Sequence, residues 1–343
     1  MTTQVHVPVL AVVSTDIRRD LILPMRHFTQ LRIRHYYRQA PYQDLAPEDL
    51  DDTLVDYHSP RELRQLLAQD RPDVIQNVEL FSLRQLPYVY TIYLYARRHR
   101  VPLIAGVHIS LPLRVKYGAA PALALKLLLQ PVLRTTCLFF HLNEGGRRNL
   151  LWMGVPENKL VRAMYGTWGI DPAEFTPARD GREPDWGSEP VLLFVGRIHE
   201  EKGIFDLLEA FGRLHHDFPT LQLKLIGSGP QRAQAQAYVQ EQGWEGCVEF
   251  LGTVKNRDLP PYYRAATVFV SPARTTRKWE EYVGMTNIQA MACGVPVVST
   301  RSGAIPEYVP DGEAGVLVPE GNPLALAEAI EVLLRNRTLR EKM

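Results

Sequence analysis

The feature that most constrains this chain is a repeated alternation. Short, largely apolar runs bounded by turn residues are followed by stretches with helical periodicity. The runs cover residues 7–13, 74–75, 103–107 and 138–142 in the first half of the chain. In the second half they cover 191–195, 222–226, 248–250, 268–270, 296–299 and 315–318. A strand that is apolar on both faces needs cover on both faces, which is the situation of a parallel sheet between helices. The intervening stretches supply those helices: Ile204, Leu207, Leu208, Phe211 and Leu214 recur on one face at helical spacing. Strand-then-helix order, repeated, predicts an α/β architecture. At roughly 150 residues per domain, 343 residues make about two domains. The best boundary is the polar, proline-bearing stretch 177–190, PARDGREPDWGSEP, so the expected domains are 1–183 and 184–343.

Charge and cysteine usage exclude several classes. Lys and Arg total 39 against 38 Asp and Glu, a net charge of +1, so no whole-chain basic footprint for nucleic acid exists. Cys137, Cys247 and Cys293 are scattered, with no CxxC or Cys/His cluster, so neither a disulfide framework nor a structural zinc site is supported. A reducing, cytoplasmic setting fits. Residues 7–13 read as a buried first strand rather than a signal peptide, because no Lys or Arg precedes them. No run reaches the roughly 18 apolar residues of a spanning helix.

Three strand-end motifs carry chemistry. Gly196-Arg197-Ile198-His199-Glu200-Glu201-Lys202-Gly203 follows the run 191–195. It places a planar guanidinium and a point cation at the carboxyl end of a sheet, where α/β proteins bind ligands. Taken alone, the plainer reading is a solvated turn with both cations paired to Glu200 and Glu201. Glu281-Tyr282-Val283-Gly284-Met285-Thr286-Asn287-Ile288-Gln289 opens a helix near Gly284. The amides of Gly284, Met285 and Thr286 then form an anion site, with Glu281 and Gln289 in reach of sugar and ribose hydroxyls. An ordinarily capped buried helix is the alternative. Gly227-Ser228-Gly229 permits close approach of a ligand to the backbone, but Arg232 breaks the GxGxxG dinucleotide pattern. All three motifs fall in one half of the chain, and all suit a nucleoside diphosphate.

In this combination and order, the second half strongly resembles the retaining glycosyltransferases of family GT4, which have the GT-B fold. The resemblance rests on VLLFVGRIHEEKGIFDLLEAF, LIGSGP, VEFLGTV, LPPYYRAATVFVSP and EYVGMTNIQAMACGVPVVSTRSGAIPEYV, nearly all of residues 190–335. The first half is similar more weakly, through RPDVIQ, ARRHRVPLIAGVH and LLWMGVPENKLVRAMYGTWGIDPAEFTP. The resemblance implies two Rossmann-like domains with parallel sheets facing across a cleft. It implies that Arg197 and Lys202 bind the donor diphosphate and that Glu281 contacts the donor sugar. It places Gly196, Gly227 and the Gly284–Thr286 amides against the same ligand, and Val254 at the nucleobase. His108 resembles the family histidine that faces the reaction centre; unaided, it reads as a core histidine.

The family signature has Glu at both ends of an eight-residue step, and here the second is Gln289. A neutral acceptor is weaker than a charged one by about 1 kcal/mol. Ser14-Thr15-Asp16 stands where the family has a glycine pair. The basic, aromatic loop 273–280 does not map onto the family pattern, and the family's last helix is absent or cut short at LLRNRTLREKM. The implied reaction is transfer from a nucleotide sugar, UDP-linked by family frequency, to a carbohydrate or lipid-linked acceptor. It needs neither cofactor nor metal, because cations and a helix N-terminus offset the leaving charge. The DxD at Asp49-Leu50-Asp51 reads as solvated surface. A sugar-nucleotide epimerase and a non-catalytic nucleotide-binding scaffold are the competing readings.

One stretch lies outside these motifs. Between Glu79 and Glu144 the chain has no acidic residue, while Arg114, Lys116, Lys126 and Arg134 sit amid LPLRVKYGAAPALALKLLLQPVLR. Such a helix can lie peripherally on the anionic inner face of a membrane. The preferred reading is a core helix with basic residues on its outer face.

Overall fold

The apolar runs become strands of two wholly parallel sheets. The computed structural model describes residues 6–17, 19–22, 24–38, 51–163 and 169–343. Cα proximity divides the chain into units Met1–Gly169 and Ile170–Met343. In the first, β1 (Val9–Val13), β2 (Arg32–Tyr37), β3 (Leu54–Asp56), β4 (Val74–Asn77), β5 (Leu103–Val107), β6 (Thr136–His141) and β7 (Leu160–Arg162) lie in the order β3-β2-β1-β4-β5-β6-β7. In the second, β8 (Val191–Val195), β9 (Gln222–Ile226), β10 (Val248–Gly252), β11 (Val268–Ser271), β12 (Val297–Thr300) and β13 (Gly315–Val318) lie in the order β10-β9-β8-β11-β12-β13. Each sheet reverses its direction of growth once, at β1/β4 and at β8/β11. Such switch points open a crevice beyond the strands' carboxyl ends.

Strands β5, β8, β9 and β13 match their apolar runs to the residue. Strand β2 is a different case. In RIRHYY, Arg32 and Arg34 alternate with Ile33, His35 and Tyr36, which are buried. That alternation hides the strand from a search for continuous apolar runs. Strands β3 and β7 are three-residue edges.

Residues 170–183, grouped by sequence with the first domain, pack within the second unit. Phe175 joins the core around Tyr263 and Phe269. Arg264, almost wholly buried, meets Asp180 at 2.8 Å and Glu183 at 2.6 Å. Of the DxD stretch, Asp49 and Leu50 lie outside the described residues. Asp51 accepts from the Thr53 amide at 3.0 Å, a local turn bond. No helix among the described residues is long and apolar enough to cross a membrane.

Candidate functional site

In the second unit, the loops after β8 to β12 are pinned to one another. Gly227 has φ +137°, and a Cβ there would lie 1.9 Å from the Gly196 carbonyl oxygen. Only glycine lets the β8 and β9 turns touch this closely. The Gly196 amide donates to Ile226 O at 2.9 Å, and the Gly227 amide to Gly252 O at 2.6 Å. Thr253, next to the half-buried Val254, donates its hydroxyl to Ser228 at 3.3 Å. On the other side, a Cβ at Gly303 would lie 2.1 Å from Glu281 O. That carbonyl instead accepts from the Ala304 amide at 2.8 Å, which fixes the Glu281 backbone.

This clamping brings two of the sequence motifs together. Lys202 Nζ donates to Glu281 Oε2 at 2.5 Å, across 79 positions of sequence. The same ammonium stands 4.6 Å from the centroid of the Trp279 ring, a cation–π contact. Both side chains of the pair are mostly removed from water, so it is not the near-neutral surface kind. Arg197 differs. It is more than half exposed and pairs with Glu201 four residues on, as the solvated-turn reading held. Lys202 does not follow that reading, because its carboxylate partner comes from the other motif.

Gly284, with φ +78°, caps the helix Met285–Ala292. The amides of Asn287 and Ile288 return to Gly284 O. The amides of Met285 and Thr286 precede that ladder and have no acceptor among the described residues, so the positive end of the helix stays open. Gln289 lies deeper, 3% exposed, and its Oε1 accepts from Tyr263 Oη at 3.0 Å. Its Nε2 has no protein partner among the described residues. Gln289 can therefore offer a ligand its Nε2 as a donor, besides the second lone pair of its carbonyl.

The loop 273–280 is anchored rather than loose. Arg274 pairs with Asp206, and the Thr275 hydroxyl donates to Glu320 at 2.8 Å. Trp279, which the sequence reading did not single out, is its contribution to the site. The only advance signal was an aromatic residue in a basic loop.

His108 belongs to the first unit, just past β5. Its Nδ1 meets Glu79 Oε2 at 2.9 Å. Glu79 follows β4, and its Oε1 accepts from the Phe81 amide at 3.1 Å. Burial pushes the Glu79 carboxyl up, but His108, the Phe81 amide and Lys116 outweigh it and hold the group below the usual glutamate range. His108 is thus no isolated core histidine. The same end of the sheet is polar beyond what sequence suggested. Gln85 Nε2 donates to Thr15 Oγ1 at 2.7 Å, and Ser14 Oγ meets His35 Nε2 at 2.7 Å. Both amide atoms of buried Asn77 lack a partner among the described residues. Unmatched buried amides are costly, so a hydroxylated ligand would be well received there.

Residues 180–343 match the family described as Glycosyl transferases group 1. The chain is 32% identical over 173 residues to a GDP-mannose-dependent alpha-(1-6)-phosphatidylinositol monomannoside mannosyltransferase of Mycolicibacterium smegmatis, which covers 48% of this chain and 45% of that protein. It spans less than half the length of the curated relatives it matches first, at 45%, 39% and 44%. Among solved structures, Anabaena HepE in complex with UDP and glucose superposes with a TM-score of 0.74 at 16% identity, over 98% of this chain and 92% of that one. A sucrose-phosphate synthase of Thermosynechococcus elongatus gives 0.73 at 21% identity, over 98% and 92%. Residues 180–343 are therefore similar to the glycosyl transferases group 1 family, and the chain has the GT-B fold.

Proposed function

We propose that the chain is a retaining, metal-independent glycosyltransferase. It would move a sugar from a nucleoside diphosphate sugar, UDP-linked first among candidates, to a carbohydrate or lipid-linked acceptor in the cytoplasm. The observation that carries the reading is the Lys202–Glu281 pair beside the open N-terminus of helix Met285–Ala292. It sets a cation, a carboxylate and two unbonded amides at one crevice of a parallel sheet. Relatives named for mannosyl transfer and a fold neighbour solved with UDP and glucose support the substrate class. Three unpaired cysteines suit a reducing compartment.

In this reading the bond between the anomeric carbon and the β-phosphate oxygen breaks, and negative charge grows on the diphosphate. Lys202, Arg197 and the Met285 and Thr286 amides offset it. The acceptor hydroxyl oxygen bonds to the anomeric carbon on the face the phosphate leaves, and its proton passes to the departing phosphate oxygen. Glu281 orients the sugar and Lys202, and does not attack. Gln289 donates to a ribose hydroxyl while Tyr263 holds its carbonyl. Glu79 holds His108 within the first unit, and the family resemblance gives that histidine a part in the reaction.

The test is calorimetric titration of UDP, GDP and ADP into wild type and Arg197→Ala. One nucleotide should bind wild type and bind the variant at least tenfold more weakly. Sugars on that base should then be transferred with unchanged anomeric configuration by NMR, and equally in EDTA. Failure of all three nucleotides to bind folded protein would overturn the reading. Binding without transfer would leave a nucleotide-binding scaffold.

A further inference from the structure

The helix Ala119–Thr135 is apolar all the way round. Its inner face, Ala122, Leu125, Leu129, Val132 and Leu133, is buried in the first unit's core. Its outer face carries Leu123, Leu127 and Leu128, exposed by 52%, 65% and 51%. Ala120, Ala124 and Pro131 on that face are exposed as well. The polar residues in the middle of the helix are turned inward. Lys126 Nζ donates to Trp152 O at 2.5 Å, and Gln130 Nε2 to Met153 O at 2.9 Å. Lys126 is therefore not on the outer face where the sequence reading preferred it; leucines fill the middle of that face, and Arg134 stands exposed at its end.

The patch continues onto a second helix. Tyr90, in the helix Leu86–His99, donates its hydroxyl to Leu128 O, and one turn further on Leu94 is 59% exposed. Arg97 and Arg98 follow on the next turn, exposed, and Arg134 stands exposed at the end of the first helix. No carboxylate occurs anywhere in the segment that builds this surface.

A helix apolar on every side normally sits inside protein or in lipid. A water-soluble protein seldom leaves several large leucines together on its surface without a use. The basic residues decide between occupants. A second copy of the chain would bring Arg97, Arg98 and Arg134 against their own like charges, with no acid in the segment to answer them. An anionic lipid surface supplies that charge and a tyrosine-compatible interface. We propose that the outer face of Ala119–Thr135, with Tyr90 and Leu94, docks on an anionic membrane, its leucines among the acyl chains and its arginines at the headgroups. This inference does not depend on the transferase reading.

The experiment is co-sedimentation of the full chain with vesicles of phosphatidylcholine alone and of equal parts phosphatidylcholine and phosphatidylglycerol, at about 0.1 M and about 1 M salt. Wild type should pellet with the mixed vesicles at low salt and be released at high salt. Leu123→Ser combined with Leu127→Ser and Leu128→Ser should weaken binding at least tenfold. Arg97→Glu with Arg98→Glu should weaken it by about fivefold or more per residue. These side chains are more than half exposed or charged surface groups, so the melting curve and nucleotide titration should stay as in wild type. Equal binding by wild type and the leucine variant, or no preference for phosphatidylglycerol, would overturn the proposal. So would sedimentation velocity showing a wild-type dimer that the leucine variant abolishes, since the occupant would then be a second copy.

Discussion

Lys202 and Glu281 hold one another, and this predicts that removing either one shifts nucleotide affinity in opposite directions. The ammonium donates to Glu281 at 2.5 Å with both side chains mostly out of water. A diphosphate must compete for that ammonium. Lys202→Met deletes a charge-assisted bond, worth about 1.5–3 kcal/mol, which is roughly 10- to 150-fold in Kd. Glu281→Gln leaves Lys202 without its counter-charge until the ligand supplies one. It also removes a negative charge beside the phosphates. Affinity for the free nucleoside diphosphate should rise by about 1 kcal/mol, roughly fivefold. Sugar transfer should nevertheless fall, because the group that orients the sugar is gone. The double variant should bind close to Lys202→Met, gaining only what loss of the negative charge beside the phosphates contributes, so the two effects fail to add by up to about 1 kcal/mol. Calorimetric titration with the nucleotide that binds wild type, alongside melting curves, measures all four corners. If Glu281→Gln weakens the free nucleotide as much as Lys202→Met does, Glu281 is a ligand contact rather than the partner of Lys202, and the reasoning fails.

Three further outcomes follow from the same geometry. Glu79→Gln should lower kcat for transfer about tenfold or more with nucleotide Kd unchanged, because it loosens His108 and leaves the second unit intact; a fall in affinity instead would deny Glu79 that role. Gln289→Glu should keep the Tyr263 bond on one oxygen and offer ribose the other, tightening nucleotide binding about fivefold; the same gain with the 2′,3′-dideoxy nucleotide would rule out the ribose. His35 is buried beside Ser14, and burial pushes its imidazole down to about 4 from 6.5. The unfolded chain takes up that proton as pH falls through 6.5 while the folded chain does not, so stability is lost between pH 6.5 and about 4, by about 3 kcal/mol. Chemical denaturation across that window should show the loss, and His35→Gln should flatten it.

The sheets were legible in the sequence because their signals are local. Residues 191–195 and 315–318 are continuous apolar runs closed by turn residues, and they are strands β8 and β13; 222–226 keeps Leu223, Leu225 and Ile226 around a single Lys224 and is β9. Strand β2 was illegible for an equally local reason: Arg32 and Arg34 break the apolar run while Ile33 and Tyr36 fill the core. The helix Ala119–Thr135 was misread because apolar residues on two faces leave periodicity no direction to report. Burial alone shows that Lys126 turns inward and Leu127 outward.

The site posed a harder problem, since its bonds span the fold. Nothing in the turn 196–203 says whether Lys202 meets its neighbours Glu200 and Glu201 or a carboxylate 79 positions away; Arg197 takes the first course and Lys202 the second. The clamp that decides it, Gly303 against Glu281 O, becomes visible only in three dimensions. Gln289 shows the same limit in its chemistry. Read along the chain, Gln in place of Glu is a weaker acceptor. In the fold, the Tyr263 hydroxyl occupies one lone pair of the carbonyl, so the substitution adds a donor to what that position presents. An amide donor asks a ligand for an acceptor lone pair, and a ribose hydroxyl has both a proton and lone pairs to give. The substitution is therefore compatible with the proposed nucleotide binding, to which it would add an amide donor.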